Sequence, residues 1–378
     1  MIFGAGSGSI VFNHTDENYI FSTGITGTGE VLHLSGTTTL TGENDYTGGT
    51  TISGGRLRGN TASLTGDILN NAALAFDQAS DGTFSGAVSG TGTLEKTGAG
   101  VLTLTGENTY TGTTTVSAGI LRAGSAMSLA SDAYTLSGGT LDLNDFDLSV
   151  SGLSGASGTV DLGSAELEVD QDGNSIFGGI ISGAGSVVKL GFGILTLTGE
   201  NEYTGLTTVD GGTLALAGGS VDTSDEVIVG DLADTVGVMT VTGEGASLES
   251  DSNVIVGRLG EGTLNVEDGG VATADVVIAG HLSGADGTIR VTGTDSQISS
   301  TSLLRIGDEG VGRLVVSGGG AVTNTSTGYI GAGTNGEGTA TVTGTGSKFD
   351  NSGLLYVGGE YNGAVGVLTV ADEGAVNV

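Results

Sequence analysis

Cysteine, proline and tryptophan are absent from the 378 residues, and lysine and arginine together number only 10. Without cysteine there is no disulfide framework, no thiolate zinc site and no thiol nucleophile, and the chain suits passage through an oxidising compartment in an unfolded state. The lack of proline, with no glycine at every third position, excludes a collagen helix. No apolar run approaches the ~18 residues of a membrane helix, since clusters such as VIVG at 227–230 are strand-sized. Against the few cations stand 43 Asp and Glu, so the formal net charge is −33. This excludes the clustered basic residues that nucleic-acid backbones and anionic bilayers require. Distributed negative charge favours solubility and attracts divalent cations or basic partners. What abounds is glycine, 75 residues, beside 37% hydrophobic residues. That combination describes an ordered, turn-rich β protein rather than a disordered chain.

Self-similarity organises the rest. TGENDYTGGTT at 41–51 returns as TGENTYTGTTT at 105–115 and TGENEYTGLTT at 198–208, with the lead-ins SGTGTLEKTGAGVLTL and SGAGSVVKLGFGILTL before the latter two. The first copy has a lead-in one residue shorter, a loss that a turn tolerates and a strand does not. Separations of 64 and 93 residues fit about three and four turns of a coil of roughly 20 to 25 residues. From about residue 219 a second repeat takes over, in which VIVG, VIVG, VIAG, LRIG, GYIG and LYVG end at Gly230, Gly257, Gly280, Gly307, Gly331 and Gly358. The spacings alternate, so the unit is two coils of about 50 residues. Period-two alternation such as LTLT, Gly/Asn/Asp/Ser turns and no helical periodicity predict short strands in a parallel β-solenoid. At about 4.8 Å per coil this amounts to some 16 coils in a single elongated rod on the order of 75 Å. The expected organisation is residues 1–218 with TGENxYTG repeats and 219–378 with two-coil repeats. A β-propeller, the other all-β solution, is disfavoured by the 64- and 93-residue spacings.

The block from SGTGTLEKTGAGVLTL into TGENTYTGTTTVSAGILRAG resembles the passenger-associated repeat of bacterial autotransporters, the type V secretion adhesins, and the 50-residue pairs are similar to repeats of the same large passengers. The resemblance implies a right-handed parallel β-helix exported across the outer membrane of a Gram-negative cell and displayed on its surface. It implies an adhesin or an autoaggregation and biofilm protein, associated with virulence. The partner would be the same protein on neighbouring cells, or a host or matrix protein or glycan. Two other readings stand beside it: a passive stalk presenting an N-terminal functional domain, and a carbohydrate-active β-helix. The start MIFGAGSGSI lacks the regions of a signal peptide, so the sequence is expected to be a fragment without its signal peptide and C-terminal barrel.

Candidate sites are few. The TGENxY turns supply Gly42, Asn44, Tyr46, Gly106, Asn108, Tyr110, Gly199, Asn201 and Tyr203 as structural residues. Gly106 is expected at positive φ, Asn108 in or near the left-handed region, and each Tyr as an anchor of its own turn. His33 stands where the other copies have Lys96 and Lys189, which reads as an outward-facing basic position, while His14 and His281 read as exposed turns. No G-x-S-x-G elbow is present, and the arginines are scattered, so no catalytic residue is assigned and the chain is not expected to be an enzyme. Asp170, Asp172 and Asn174 match positions 1, 3 and 5 of an EF-hand loop, but Ser175 and Ile181 replace its Gly and Glu. They are weak metal candidates, and calcium is expected only as a nonspecific stabiliser, with no cofactor. LDLNDFDL at 141–148 reads as a strand with Asp142, Asp145 and Asp147 on a solvated face.

Overall fold

A computed structural model describes residues 1–4, 8–359 and 363–378. Among the described residues there is no helix, hence none long and apolar enough to cross a membrane. The strands run parallel and form a β-solenoid of about 16 turns. The chain folds as two compact units, Met1–Ala165 and Glu166–Val378. The change of repeat type near residue 219 falls inside the second unit.

In Met1–Ala165 the alternation in the sequence becomes an alternation of faces. Strand Val101–Leu104 buries Leu102 and Leu104 and turns Thr103 outward. Leu104 stands over Phe84 in the preceding coil and under Ala123 in the following one. Each buried aliphatic contributes about 1.5–3 kcal/mol, so a coil becomes stable only when its neighbours cover its inward row. After a first coil of 21 to 22 residues, coils here are tighter than expected, 17 to 20 residues, since Leu57 pairs with Leu74 and Leu94 with Thr114. The difference matters for the repeats. Gly106 lies against Gly86, Gly86 against Gly66, and Gly66 against Gly49. Three coils before Gly106 the chain is therefore at Gly49, not at the matching Gly42. The lead-in strand of the first copy, Glu30–Ser35, accordingly belongs to one side of the coil, with Thr50–Ile52 and Ile68–Asn70. Its counterpart Thr93–Thr97 belongs to the side that runs from Tyr19–Phe21 through Thr37–Leu40, Arg56–Gly59 and Ala73–Asp77. The second copy is thus displaced by one side of the coil relative to the first.

In Glu166–Val378 seven strands stack in register, from Gly211–Ala217 through Val236–Thr242, Glu261–Glu267, Asp286–Thr292, Val311–Ser317 and Glu337–Thr343 to Val365–Ala371. The 50-residue period arises largely at one corner, and the next corner adds to it, where four residues (243–246, 293–296, 344–347) alternate with three (268–270, 318–320). Five residues (231–235, 281–285, 332–336) and three residues (258–260, 308–310) alternate between the motif glycine and the next of these strands. The motif glycines themselves have φ between 67° and 93°, and a Cβ on Gly257 would sit 2.5 Å from the Asp286 carbonyl oxygen. Only glycine meets both conditions. Some strands reach ten residues, longer than the sequence implied, because they continue around a corner through a bulge, as between Ser250 and Asn253.

LDLNDFDL is not one strand. The strand ends at Asp142, and Asn144 and Asp145 take left-handed φ values of 49° and 65° before the chain resumes at Leu148–Val150. Asn and Asp tolerate that region, and the Asp142 carboxylate accepts the Asn144 amide at 2.9 Å, so the acids build a corner rather than a face.

Candidate functional site

The TGENxY turns are cross-coil clamps. Asn108 Oδ1 accepts the Val88 amide at 2.7 Å from the coil before, and its Nδ2 donates to the Ser128 carbonyl at 2.5 Å in the coil after. Asn44 joins Ile25 to Ser63 (2.8 and 2.6 Å) and Asn201 joins Ile181 to Ser220 (2.9 and 2.8 Å) in the same way. The expected turn geometry needs correction: neither Gly106 nor Asn108 has a positive φ. Glycine is required there for space. A Cβ would lie 2.2 Å from the Gly86 carbonyl oxygen at Gly106, 2.0 Å from that of Gly179 at Gly199, and 2.8 Å from that of Thr23 at Gly42. The three tyrosines are fully buried, each bonded through its hydroxyl to the threonine four residues on, Tyr46 to Thr50, Tyr110 to Thr114 and Tyr203 to Thr207. Burial pushes all three phenols up, and the threonine bonds oppose it.

The basic position beside these turns faces inward, opposite to expectation. Lys96, Lys189 and His33 each have no exposed surface. The ammonium of Lys96 donates to the carbonyls of Thr97, Gly98 and Ala118 at 2.8–2.9 Å, using all three protons to close a corner. Lys189 does the same with Leu190, Gly191 and Gly211. Burial pulls both lysines below their usual range, and nearby carboxylates, Asp77 for Lys96 and Asp170 and Asp172 for Lys189, oppose it. His33 reproduces one such bond, Nδ1 to the Gly54 carbonyl at 2.7 Å. Its Nε2 faces Thr38 Oγ1 at 3.2 Å, and His14 Nε2 meets the same hydroxyl at 2.8 Å. His14 is therefore half-buried in a hydrogen-bond chain and not a free turn residue.

Two of the three metal candidates accept backbone amides. Asp172 Oδ1 accepts the Phe192 amide at 3.2 Å and Asn174 Oδ1 the Ile194 amide at 3.0 Å, both in the following coil. Among the described residues no three His, Cys, Asp or Glu side chains are grouped to hold a metal. Five of the seven scattered arginines have carboxylate partners across coils. Arg58 pairs with Asp77 (2.7 Å), Arg122 with Asp142 (2.6 Å), Arg258 with Asp231 (2.8 Å), Arg56 with Glu95 and Arg313 with Asp286.

Two outward features of Glu166–Val378 remain. The first is the outer face of the seven-strand stack. Its third, fifth and seventh columns carry threonines such as Thr240, Thr242, Thr263, Thr292, Thr341 and Thr343, and Glu267, Arg290 and Arg313 are their charged residues. The second is a cleft of about 480 Å³ at the corner where loops of five and three residues alternate, lined by His281, Arg305, Asp308, Glu309 and Tyr329. Asp308, 5% exposed, receives His281 Nδ1 and Arg305 Nη1, each at 3.0 Å. The Arg305 guanidinium lies 5.7 Å from the centre of the Tyr329 ring, which stacks on Tyr356 at 5.0 Å and 9°. Sequence reasoning missed this cluster and left His281 in an exposed turn. The signal was present in the second letter of the six motifs, which reads Ile, Ile, Ile, Arg, Tyr, Tyr.

Comparison with known proteins completes the picture. The passenger-associated-transport-repeat family matches residues 35–58, 94–123 and 187–216, the three stretches that hold the asparagine clamps. Over 266 residues, 56% of its length, the chain is 38% identical to the adhesin BmaC autotransporter of Brucella suis biovar 1 (strain 1330), and it spans 8% of that protein. No solved structure matches it. The transport repeats, carried on a parallel β-solenoid, and this similarity support a passenger segment of an autotransporter, exposed at the cell surface after secretion across the outer membrane.

Proposed function

We propose that this segment is adhesive, binding rather than catalysing, and that its Thr-rich outer face joins copies on neighbouring cells in autoaggregation and biofilm formation. The similarity to an autotransporter adhesin supports a binding role. The observation that carries the homotypic reading is the distribution of charge. On a chain of net charge −33, two copies repel almost wherever they meet. The three outward columns whose charged residues are Glu267, Arg290 and Arg313 form a stripe along which approach costs little electrostatic free energy. Threonines recur along these columns, in register in adjacent coils at Thr341 and Thr369, and offer hydroxyls and methyls for a self-complementary contact. Divalent cations act here as diffuse counter-ions for the surrounding acids and hold no dedicated site.

Sedimentation velocity over a concentration series at low salt, high salt and added calcium tests this. The chain should form concentration-dependent dimers or larger species that strengthen with salt and calcium, and the Thr263→Asp, Thr341→Asp double variant should weaken them at every salt concentration. A chain that stays monomeric under all three conditions sinks the homotypic reading and leaves a heterophilic adhesin or a stalk.

A further inference from the structure

We propose that the cleft beside Arg305, Tyr329 and Tyr356 binds a neutral sugar ring. This goes beyond homotypic contact and stands on a separate observation, a repeat that departs from its own pattern in two columns at once. In the first column Ile228, Ile255 and Ile278 stack on one another, 0%, 4% and 7% exposed. The next three coils place Arg305, Tyr329 and Tyr356 in that row. In the second column, two residues after the motif glycine, Leu232, Leu259 and Leu282 give way to Glu309 and Gly333. Apolar residues at both positions yield to polar and aromatic ones in the same coils, and there the corner opens into the cleft of about 480 Å³. A solenoid that needed only to stack would repeat isoleucine and leucine.

The chemistry of the lining selects the ligand. The ion triad of Asp308, Arg305 and His281 is rigid, because the buried carboxylate accepts from both neighbours. As an acceptor it orients the imidazole through its Nδ1 hydrogen bond. The remaining guanidinium protons are donors, and exposed Glu309 adds acceptors. Interleaved donors and acceptors match the vicinal hydroxyls of a sugar, and Ala332 gives its C–H groups an apolar contact. An anionic ligand is opposed by Glu309 and by the net charge of −33, because Asp308 already offsets Arg305. The volume is that of a small-molecule cleft, enough for one or two hexose rings.

The test is saturation-transfer NMR and titration of the full chain with methyl glycosides of glucose, galactose, mannose and N-acetylglucosamine, and with lactose against sialyllactose. At least one neutral sugar should bind saturably, and sialyllactose should bind more weakly than lactose. The variant R305I/Y329I, which installs the residue of the preceding coils, and the surface variant Glu309→Leu should each weaken binding by about tenfold or more. Absence of saturable binding by every neutral sugar overturns the proposal, as does unchanged binding in both variants or tighter binding of sialyllactose than of lactose. Should the double variant fail to fold, Glu309→Leu alone decides between these outcomes.

Discussion

A single asparagine in each transport repeat satisfies a backbone donor in the coil before and a backbone acceptor in the coil after, so its loss is felt in three coils. Asn108→Ala leaves the Val88 amide and the Ser128 carbonyl without their partner, at about 1–3 kcal/mol for each buried group. The expected outcome is faster hydrogen exchange at the Val88 amide and a lower urea midpoint, with Asn108→Asp intermediate because it keeps the acceptor. Glycines in the chain separate by the same logic of space. Gly106→Ala forces a Cβ against the Gly86 carbonyl at 2.2 Å and should cost about 1–3 kcal/mol or more, whereas Gly173→Ala meets nothing within 4 Å at a φ that an L residue accepts. Thermal unfolding of the two variants side by side checks the contrast; equal losses would show that crowding between coils does not explain the turn glycine.

At the scale of the element, the corner closed by Lys96 and Lys189 is closed in the first repeat by His33, and this makes one corner sensitive to acid. Burial lowers the His33 pKa, with His14 adding to the shift and the Gly54 carbonyl bond opposing it. Because the folded value is the lower one, the site's contribution to stability is complete above the ordinary histidine pKa of about 6.5 and is lost as pH falls through the folded value. Amides near the corner, such as that of Ser53, which donates to the His33 carbonyl, should exchange faster at pH 5 than at pH 7.5 beyond the intrinsic rate change. His33→Lys, which copies the Lys96 arrangement, should remove that excess; an unchanged profile in the variant would assign the effect to carboxylates. The repeats and their alternation were enough to read a parallel solenoid from the sequence, because period-two patterns and turn glycines are local properties. What alternation could not reveal is which side of a strand meets the core at a basic residue: Lys96 follows the inward phase of Leu94, but its charge argued for the surface. Nor could spacing alone give the coil length, since 64 residues fit three coils of about 21 as well as three of 19 with a side left over. The cleft at Arg305 was visible as a column yet stayed hidden until the coils were stacked, because its residues lie 24 to 27 positions apart.

For the molecule as a whole, seven of the ten cations tie coils together, through inter-coil arginine pairs and buried lysines, and most of the 43 carboxylates remain to repel one another. Screening should therefore act on stability as well as on association: the melting temperature should rise from low ionic strength to about 0.5 M salt, the opposite of what surface ion pairs alone would give. Scanning calorimetry at two salt concentrations decides between the two signs. The displacement of the second transport repeat by one side of the coil has an outcome for recognition. In Met1–Ala165 the exposed residues around the clamps, Glu43 and Asp45 in one copy and Glu107 and Thr109 in the next, present one epitope at two azimuths. A bivalent antibody against the TGENxY turn would have to reach around the solenoid to gain avidity from both copies, so its two-armed and one-armed forms should bind this unit with nearly equal affinity.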